Sequence, residues 1–108
     1  MGDTAEQCAK MLADAGADVI GANCGDIDPV QMAGVVSLLK SATTLPILAQ
    51  PNAGKPKLVD NQTIFEMLPV AFAEGIAECL RAGARFVGGC CGTTPGHIRA
   101  VAGVLNQA

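Results

Sequence analysis

Tryptophan and tyrosine are absent from this chain and phenylalanine occurs only three times. That removes the stacking surfaces on which single-stranded nucleic acids or quaternary ammonium groups are held. Basic residues are scarce as well. Seven Lys and Arg are scattered against ten Asp and Glu, for a net charge of −3, so no basic stripe exists to follow a phosphate backbone, and nucleic acid is not an expected partner. No apolar run approaches the roughly 18 residues that a membrane-spanning helix needs. The opening Met1-Gly2-Asp3-Thr4-Ala5-Glu6-Gln7 has neither the charged nor the apolar region of a secretory signal. A cytoplasmic protein without a membrane partner is expected.

What the chain does have is core-forming material. Half of its 108 residues are hydrophobic, enough for one small domain, and no linker divides residues 1–108. Five cysteines are an odd number in a chain without an export signal. Metal or thiol chemistry is therefore a better reading than a disulfide framework.

Two stretches say nearly the same thing. Ala15-Gly16-Ala17-Asp18-Val19-Ile20-Gly21-Ala22-Asn23-Cys24-Gly25 aligns with Ala82-Gly83-Ala84-Arg85-Phe86-Val87-Gly88-Gly89-Cys90-Cys91-Gly92 at an offset of about 67 residues. Each reads as the end of a helix, a buried strand, and then cysteine. Around them the hydrophobic spacing predicts a first helix capped by Asp3 with Glu6 reaching back, its inner stripe Ala5, Cys8, Leu12 and Ala15. Strands follow at Val19–Ala22, Leu45–Gln50 and Phe86–Gly89. Between them lie a helix opened by Asp28-Pro29, with stripe Met32, Val35, Val36 and Leu39, and another within Val70–Arg81. A last helix starts at Thr94-Pro95 and turns Ile98, Val101, Ala102 and Leu105 inward. The polar stretch Lys55–Gln62 reads as a loop.

The predicted order is α-β-α-β-α-β-α. Strands separated by helices run parallel through right-handed crossovers, which puts all three strand ends on one rim. Such a unit is either a small open sheet or part of a closed barrel, and a complete (β/α)8 barrel takes about 250 residues.

Cys24, Cys90 and Cys91 are spaced unlike any zinc finger, so a site built from them needs the whole fold to assemble. Cys90 and Cys91 face one metal only if the chain has already left the strand, a turn that Gly88, Gly89 and Gly92 permit. Three thiolates leave one tetrahedral position of zinc open for a substrate thiol, which the metal would deprotonate and keep nucleophilic. The alternatives are that the three are small buried hydrophobes, or that Cys90 and Cys91 form a vicinal disulfide. Cys8 and Cys79 fall on helix stripes and read as small buried hydrophobes. His97 reads as packing in the first turn of the last helix. Asp14, Asp18 and Asp26 read as solvated or capping carboxylates. Asn52, in Pro51-Asn52-Ala53-Gly54 at the end of the middle strand, is open to two uses: capping a turn, or offering an amide oxygen to a metal.

Gly21-Ala22-Asn23-Cys24 and Gly88-Gly89-Cys90-Cys91-Gly92-Thr93-Thr94-Pro95 resemble the zinc signatures of the homocysteine S-methyltransferase family. The resemblance implies an α/β chain forming the C-terminal portion of a (β/α)8 TIM barrel, three βα units carrying strands six to eight, with zinc on the three cysteines. Gln50-Pro51-Asn52-Ala53-Gly54 resembles the branch that includes cobalamin-dependent methionine synthase. This implies Asn52 as a fourth ligand until homocysteine arrives and Asn23 as a substrate contact. It also implies methylcobalamin, fed by methyltetrahydrofolate on a corrinoid or folate domain, as the methyl source. S-methylmethionine or betaine is the alternative donor, and a non-catalytic zinc-binding barrel fragment the alternative function. Where the family usually has Glu, this chain has Gly96. The first five strands of such a barrel have no counterpart here, so self-association through exposed strand edges is expected.

Overall fold

Helix starts in this chain are set by side-chain oxygens and prolines. The computed structural model describes residues 3–25 and 27–107. Helix α1 (Ala5–Asp14) opens with a reciprocal pair in which Gln7 N donates to Thr4 Oγ1 and Thr4 N donates to Gln7 Oε1. The expected Asp3 and Glu6 pair overlaps this one at the same spacing, and the fold uses Thr4 and Gln7 instead. Helix α2 (Pro29–Ala42) opens as expected, with Gln31 N donating to Asp28 Oδ1 and Asp28 N to Gln31 Oε1. Helix α3 (Pro69–Ala82) begins on a proline and stops at Gly83, whose φ of 121° lets its N–H turn back to the carbonyls of Cys79 and Leu80. Helix α4 (Pro95–Gln107) follows Thr94.

Among the described residues there are five strands, with β2, β3 and β4 following one another between α2 and α3: β1 (Ile20–Asn23), β2 (Ile47–Gln50), β3 (Lys57–Val59), β4 (Gln62–Ile64) and β5 (Ala84–Val87). The first, second and fifth form one parallel sheet in the order β1-β2-β5. That is the sequential order that right-handed crossovers through α2 and α3 generate, with β2 central. The third main strand starts two residues earlier than expected. The strand ends at Val87, with Gly88 N still donating to Ala49 O at 3.0 Å, and both Cys90 and Cys91 lie beyond the ladder.

The remaining two strands are a correction to the expected loop at Lys55–Gln62. There β3 and β4 form an antiparallel hairpin. Asp60 and Asn61 both take left-handed conformations at its turn, with φ of 50° and 64°. Tight hairpin turns need this backbone, and Asp and Asn tolerate it better than other non-glycine residues.

Neighbouring helices pack in chain order, α1 on α2, α2 on α3 and α3 on α4. Beneath them Ile20, Ile47, Ala49 and Ala84 from the sheet meet Ala9, Met32, Val36, Leu39 and Cys79 from the helices. A second cluster of Ala53, Phe72, Ile76 and Val101 lies between the end of β2 and helices α3 and α4. Two inner stripes differ from expectation. In α1 the fully buried residue is Ala9, while Leu12 is exposed, because α1 ends the row of helices with α2 and β1 as its main neighbours. In α4 the inward residues are His97 and Val101, with Ile98 and Leu105 exposed. The imidazole sets that phase, as described below.

The opposite face of the sheet has a different character. Gly21, Leu48 and Phe86 share register positions there, and Phe86 is 51% exposed. Half of a hydrophobic sheet is thus left facing water.

Two glycines test the helix packing. Gly75 of α3 lies against Pro29 of α2, so closely that an added Cβ would run into the proline ring, whereas a Cβ at Gly34 in α2 meets nothing within 4 Å. Gly75→Ala should therefore lower the unfolding free energy by about 1–3 kcal/mol through overpacking. Gly34→Ala should raise it by about 0.5–1 kcal/mol through helix propensity. Urea unfolding followed by circular dichroism measures both.

Candidate metal centre

The rim at the carboxyl ends of the parallel strands collects the three strand-end cysteines. Cys24 continues β1 by one residue, its N–H donating to the Gln50 carbonyl at 3.2 Å, and then turns sharply. Its φ is +56° and that of Gly25 +76°. A left-handed non-glycine residue costs on the order of 1–2 kcal/mol, a strain that surrounding contacts must hold in place.

On the other side, the segment after β5 lies against the end of β2. Cys90 N donates to Pro51 O and Ala53 N to Cys91 O, each at 2.9 Å. The turn closes through Thr93, whose hydroxyl donates to Cys90 O at 2.7 Å. Gly92, at φ +79°, presents no side chain to Phe65, which fills the space a Cβ would need. Phe65 follows the unanticipated hairpin, and no spacing in the sequence marks it as a neighbour of the cysteines.

The three Sγ atoms lie within 4.8 Å of one another. Cys24 Sγ and Cys91 Sγ are 3.6 Å apart. Tetrahedral zinc with Zn–S bonds of about 2.3 Å requires sulfurs about 3.8 Å apart, so the cluster is already near the spacing that such an ion demands. Among the described residues this is the group of Cys, His, Asp and Glu side chains that converges as a ligand set.

Asn23 and Asn52 flank the sulfurs in different ways. The exposed Asn23 places Nδ2 3.8 Å from Cys90 Sγ, as a donor to sulfur rather than a ligand. Asn52 is 1% exposed. Its Nδ2 donates to Gly25 O at 2.9 Å, and its Oδ1 accepts from Cys91 N at 3.0 Å.

Three touching thiols do not titrate alike. The Asn23 amide, followed by the Cys24 thiol, holds the Cys90 thiol below its ordinary value. Cys91 donates toward Cys24 and Cys90 and is pushed up to about 11. Cys79 is also raised to about 11, mainly by burial and secondarily by Glu78. Its Sγ lies 3.3 Å from Pro29 O inside the helix layer, which matches the reading of a packing cysteine. Cys8 sits half-buried on α1.

His97 packs as expected and takes no place among the sulfurs. Thr94 N donates to its Nδ1 at 3.2 Å, which leaves Nε2–H to donate to Met67 O at 2.6 Å. Its ring also meets Phe72 edge-on at 5.4 Å. Both nitrogens are thus engaged in tying α4 to the approach of α3. Asp14 and Asp18 are exposed, and Asp26 lies outside the described residues.

Comparison with known proteins identifies the family to which the chain belongs. A profile of homocysteine S-methyltransferases matches residues 1–105. The chain belongs to the homocysteine S-methyltransferase family. It is 40% identical over 91 residues to a methionine synthase of Mycobacterium tuberculosis, covering 83% of this chain and 8% of that protein. Against homocysteine S-methyltransferase 4 of Zea mays the identity is 31%, over 99% of this chain and 32% of the relative. Against betaine–homocysteine S-methyltransferase 1 of Danio rerio it is 32%, over 93% and 29%. The oxidized form of the homocysteine methyltransferase MmuM from Escherichia coli superposes with a TM-score of 0.62 at 26% identity, over 89% of this chain and 29% of that one. This member of the family thus spans less than a third of the length of each of these relatives.

The unequal thiols have a measurable consequence. In metal-free protein near pH 8, iodoacetamide should label Cys90 faster than Cys91, and buried Cys79 only on unfolding. A lowered Cys90 value means more thiolate at that pH. Tandem mass spectrometry of timed samples separates the sites; equal rates at Cys90 and Cys91 would contradict the hydrogen-bond assignment.

Proposed function

We propose that the chain supplies the thiol-activating zinc centre of a homocysteine methyltransferase, with Cys24, Cys90 and Cys91 as ligands. The observation that carries this reading is the convergence of three sulfurs, from two strands with one strand between them, to within 4.8 Å on one rim. Zinc held there supplies the Lewis acidity that makes an arriving thiol a thiolate at neutral pH.

The chain's own residues do the rest. Cys24, Cys90 and Cys91 would hold the ion; the homocysteine thiol would release its proton to solvent, and its sulfur would take the methyl group as the donor–methyl bond breaks, giving the thioether of methionine. The Asn23 amide N–H donates to Cys90, and in this reading the same exposed side chain contacts the substrate. Similarity to methionine synthase at 40% identity supports methylcobalamin, recharged from methyltetrahydrofolate, as methyl source; the betaine relatives at 32% supply the competing donor.

Geometry also supports the partial-barrel reading. Sequential parallel strands, helices in chain order on one face, and a bare opposite face with Leu48 and Phe86 are what three consecutive βα units of a (β/α)8 barrel would present. In a closed barrel that bare face is the packed interior.

Purified protein should bind one zinc per chain, and Cys24→Ala, Cys90→Ala and Cys91→Ala should each lose most of it, while Cys8→Ala and Cys79→Ala retain it. Metal analysis after gel filtration reads this directly. Homocysteine should then raise the sulfur count around zinc from three to four by X-ray absorption. Full zinc retention in any of the first three variants would sink the ligand assignment.

The bare face and the open edges of β1 and β5 predict self-association. Sedimentation should find dimers or larger species, with little methyl transfer from methylcobalamin, since much of the rim that would position the donor lies outside three βα units. A monodisperse monomer with substantial turnover would instead favour a complete minimal sheet.

A further inference from the structure

The chain's single histidine lies shortly after the paired cysteines, buried and with both ring nitrogens engaged. Thr94 N donates to Nδ1, and the Thr94 hydroxyl lies 2.8 Å from that nitrogen and 3.4 Å from His97 N, a reciprocal cap of the kind that opens α1 and α2. Nε2–H is then committed to Met67 O. Met67 N in turn donates to Ala53 O at 3.2 Å, and Ala53 N donates to Cys91 O at 2.9 Å. Three hydrogen bonds thus run in series from the imidazole back to the carbonyl of a rim cysteine. We propose that His97 is a positioning residue which, through Met67 and Ala53, fixes the Cys90–Cys91 loop in the conformation that carries its sulfurs to the rim. The inference rests on the zinc reading above for its effect on metal binding, while the linkage itself is tested without metal.

Three features support it. First, the series closes a ring. The loop is held at Cys91 by Ala53 and at Thr94 by His97, and Met67 joins the two holds. Second, the segment before α3 is seated against that ring by close packing as well as by hydrogen bonds. Phe65 fills the space beside Gly92, and Met67 lies against Gly54, at φ +97°, where an added Cβ would come within 3.2 Å of the Met67 Cβ. Third, capping alone does not call for an imidazole. Gln7 and Gln31 complete the same cap in α1 and α2, whereas a ring offers an acceptor to the cap and a donor on its far side at once.

His97→Asn separates the two uses, because its amide oxygen takes the place of Nδ1 in the cap while the side chain is too short to reach Met67 O. The control is Gly75→Ala, which loses stability where its added Cβ meets Pro29. In metal-free protein, hydrogen exchange followed by NMR should show the Ala53 and Met67 amides about 10-fold faster in His97→Asn than in Gly75→Ala. Zinc affinity, measured by competition with a chromophoric chelator, should fall about 10-fold in His97→Asn and stay at the wild-type value in folded Gly75→Ala. A histidine that serves only stability would lower the unfolding midpoint and leave both amides and the zinc affinity as they are in the control, and that result would overturn the proposal. If the wild type takes up no zinc, the proposed function fails by itself, and the exchange comparison alone decides the positioning role: equal Ala53 rates in the two variants would refute it. Should His97→Asn not fold, the wild type still decides. Its one imidazole, resolved by ¹⁵N NMR near pH 8, should be the Nε2–H tautomer with that proton protected from exchange; the Nδ1–H tautomer, or a freely exchanging Nε2 proton, would overturn the proposal.

Discussion

Parallelism is the constraint on which this structure depends. Parallel pairing requires long crossover connections, which the segments carrying α2 and α3 supply, and with both pairings parallel every main strand ends on the same side. Because the crossovers keep one hand, α2 and α3 lie on one face and β2 falls between its partners. A repeated motif on β1 and β5 is thereby brought to one rim without any direct pairing of those strands. The middle strand then becomes the mediator, and its end, Pro51–Gly54, is where the two sulfur-bearing loops are joined.

Much of this was legible in the sequence where chemistry is local. Asp28-Pro29 with Gln31, and Gly83 after α3, announce a helix start and stop by single-residue physics, and both are found there. The strand-end cysteines were legible because they recur in a repeated phrase. Elements whose phase is decided by tertiary partners were not. The stripe of α4 was drawn through Ile98 by hydrophobicity, but His97 wins the inward position because its ring satisfies Thr94 and Met67 at once. The β3–β4 hairpin was hidden by its polarity, since three-residue exposed strands carry little alternation to detect. Asn52 is the instructive case. Both of its partners are backbone atoms, so no residue type in the sequence advertises the contact.

The rim also shows how one fold accommodates conflicting demands on sulfur. Two neighbouring thiols are driven in opposite directions: the Asn23 amide lowers Cys90, while Cys91, as donor to its neighbours, is raised. Burial is light there, in contrast to Cys79, whose sulfur is withdrawn among apolar groups and kept protonated. The side chain thus sits in different surroundings according to whether a strand end or a helix face places it: the three sulfurs that converge come from the rim, and the buried Cys79 comes from a helix.

The sulfurs that touch across the rim come from positions 24 and 91, 67 residues apart. An ion bound between them is therefore also a topological crosslink, closing a loop that includes β2, the hairpin and α3. If it constrains the unfolded chain as a disulfide of that span does, the loop-closure term is worth about 4 kcal/mol, comparable to the whole stability of many small domains. Metal occupancy and folding would then share one free-energy balance, and a chain of this kind would report metal limitation through its abundance before it did so through its chemistry.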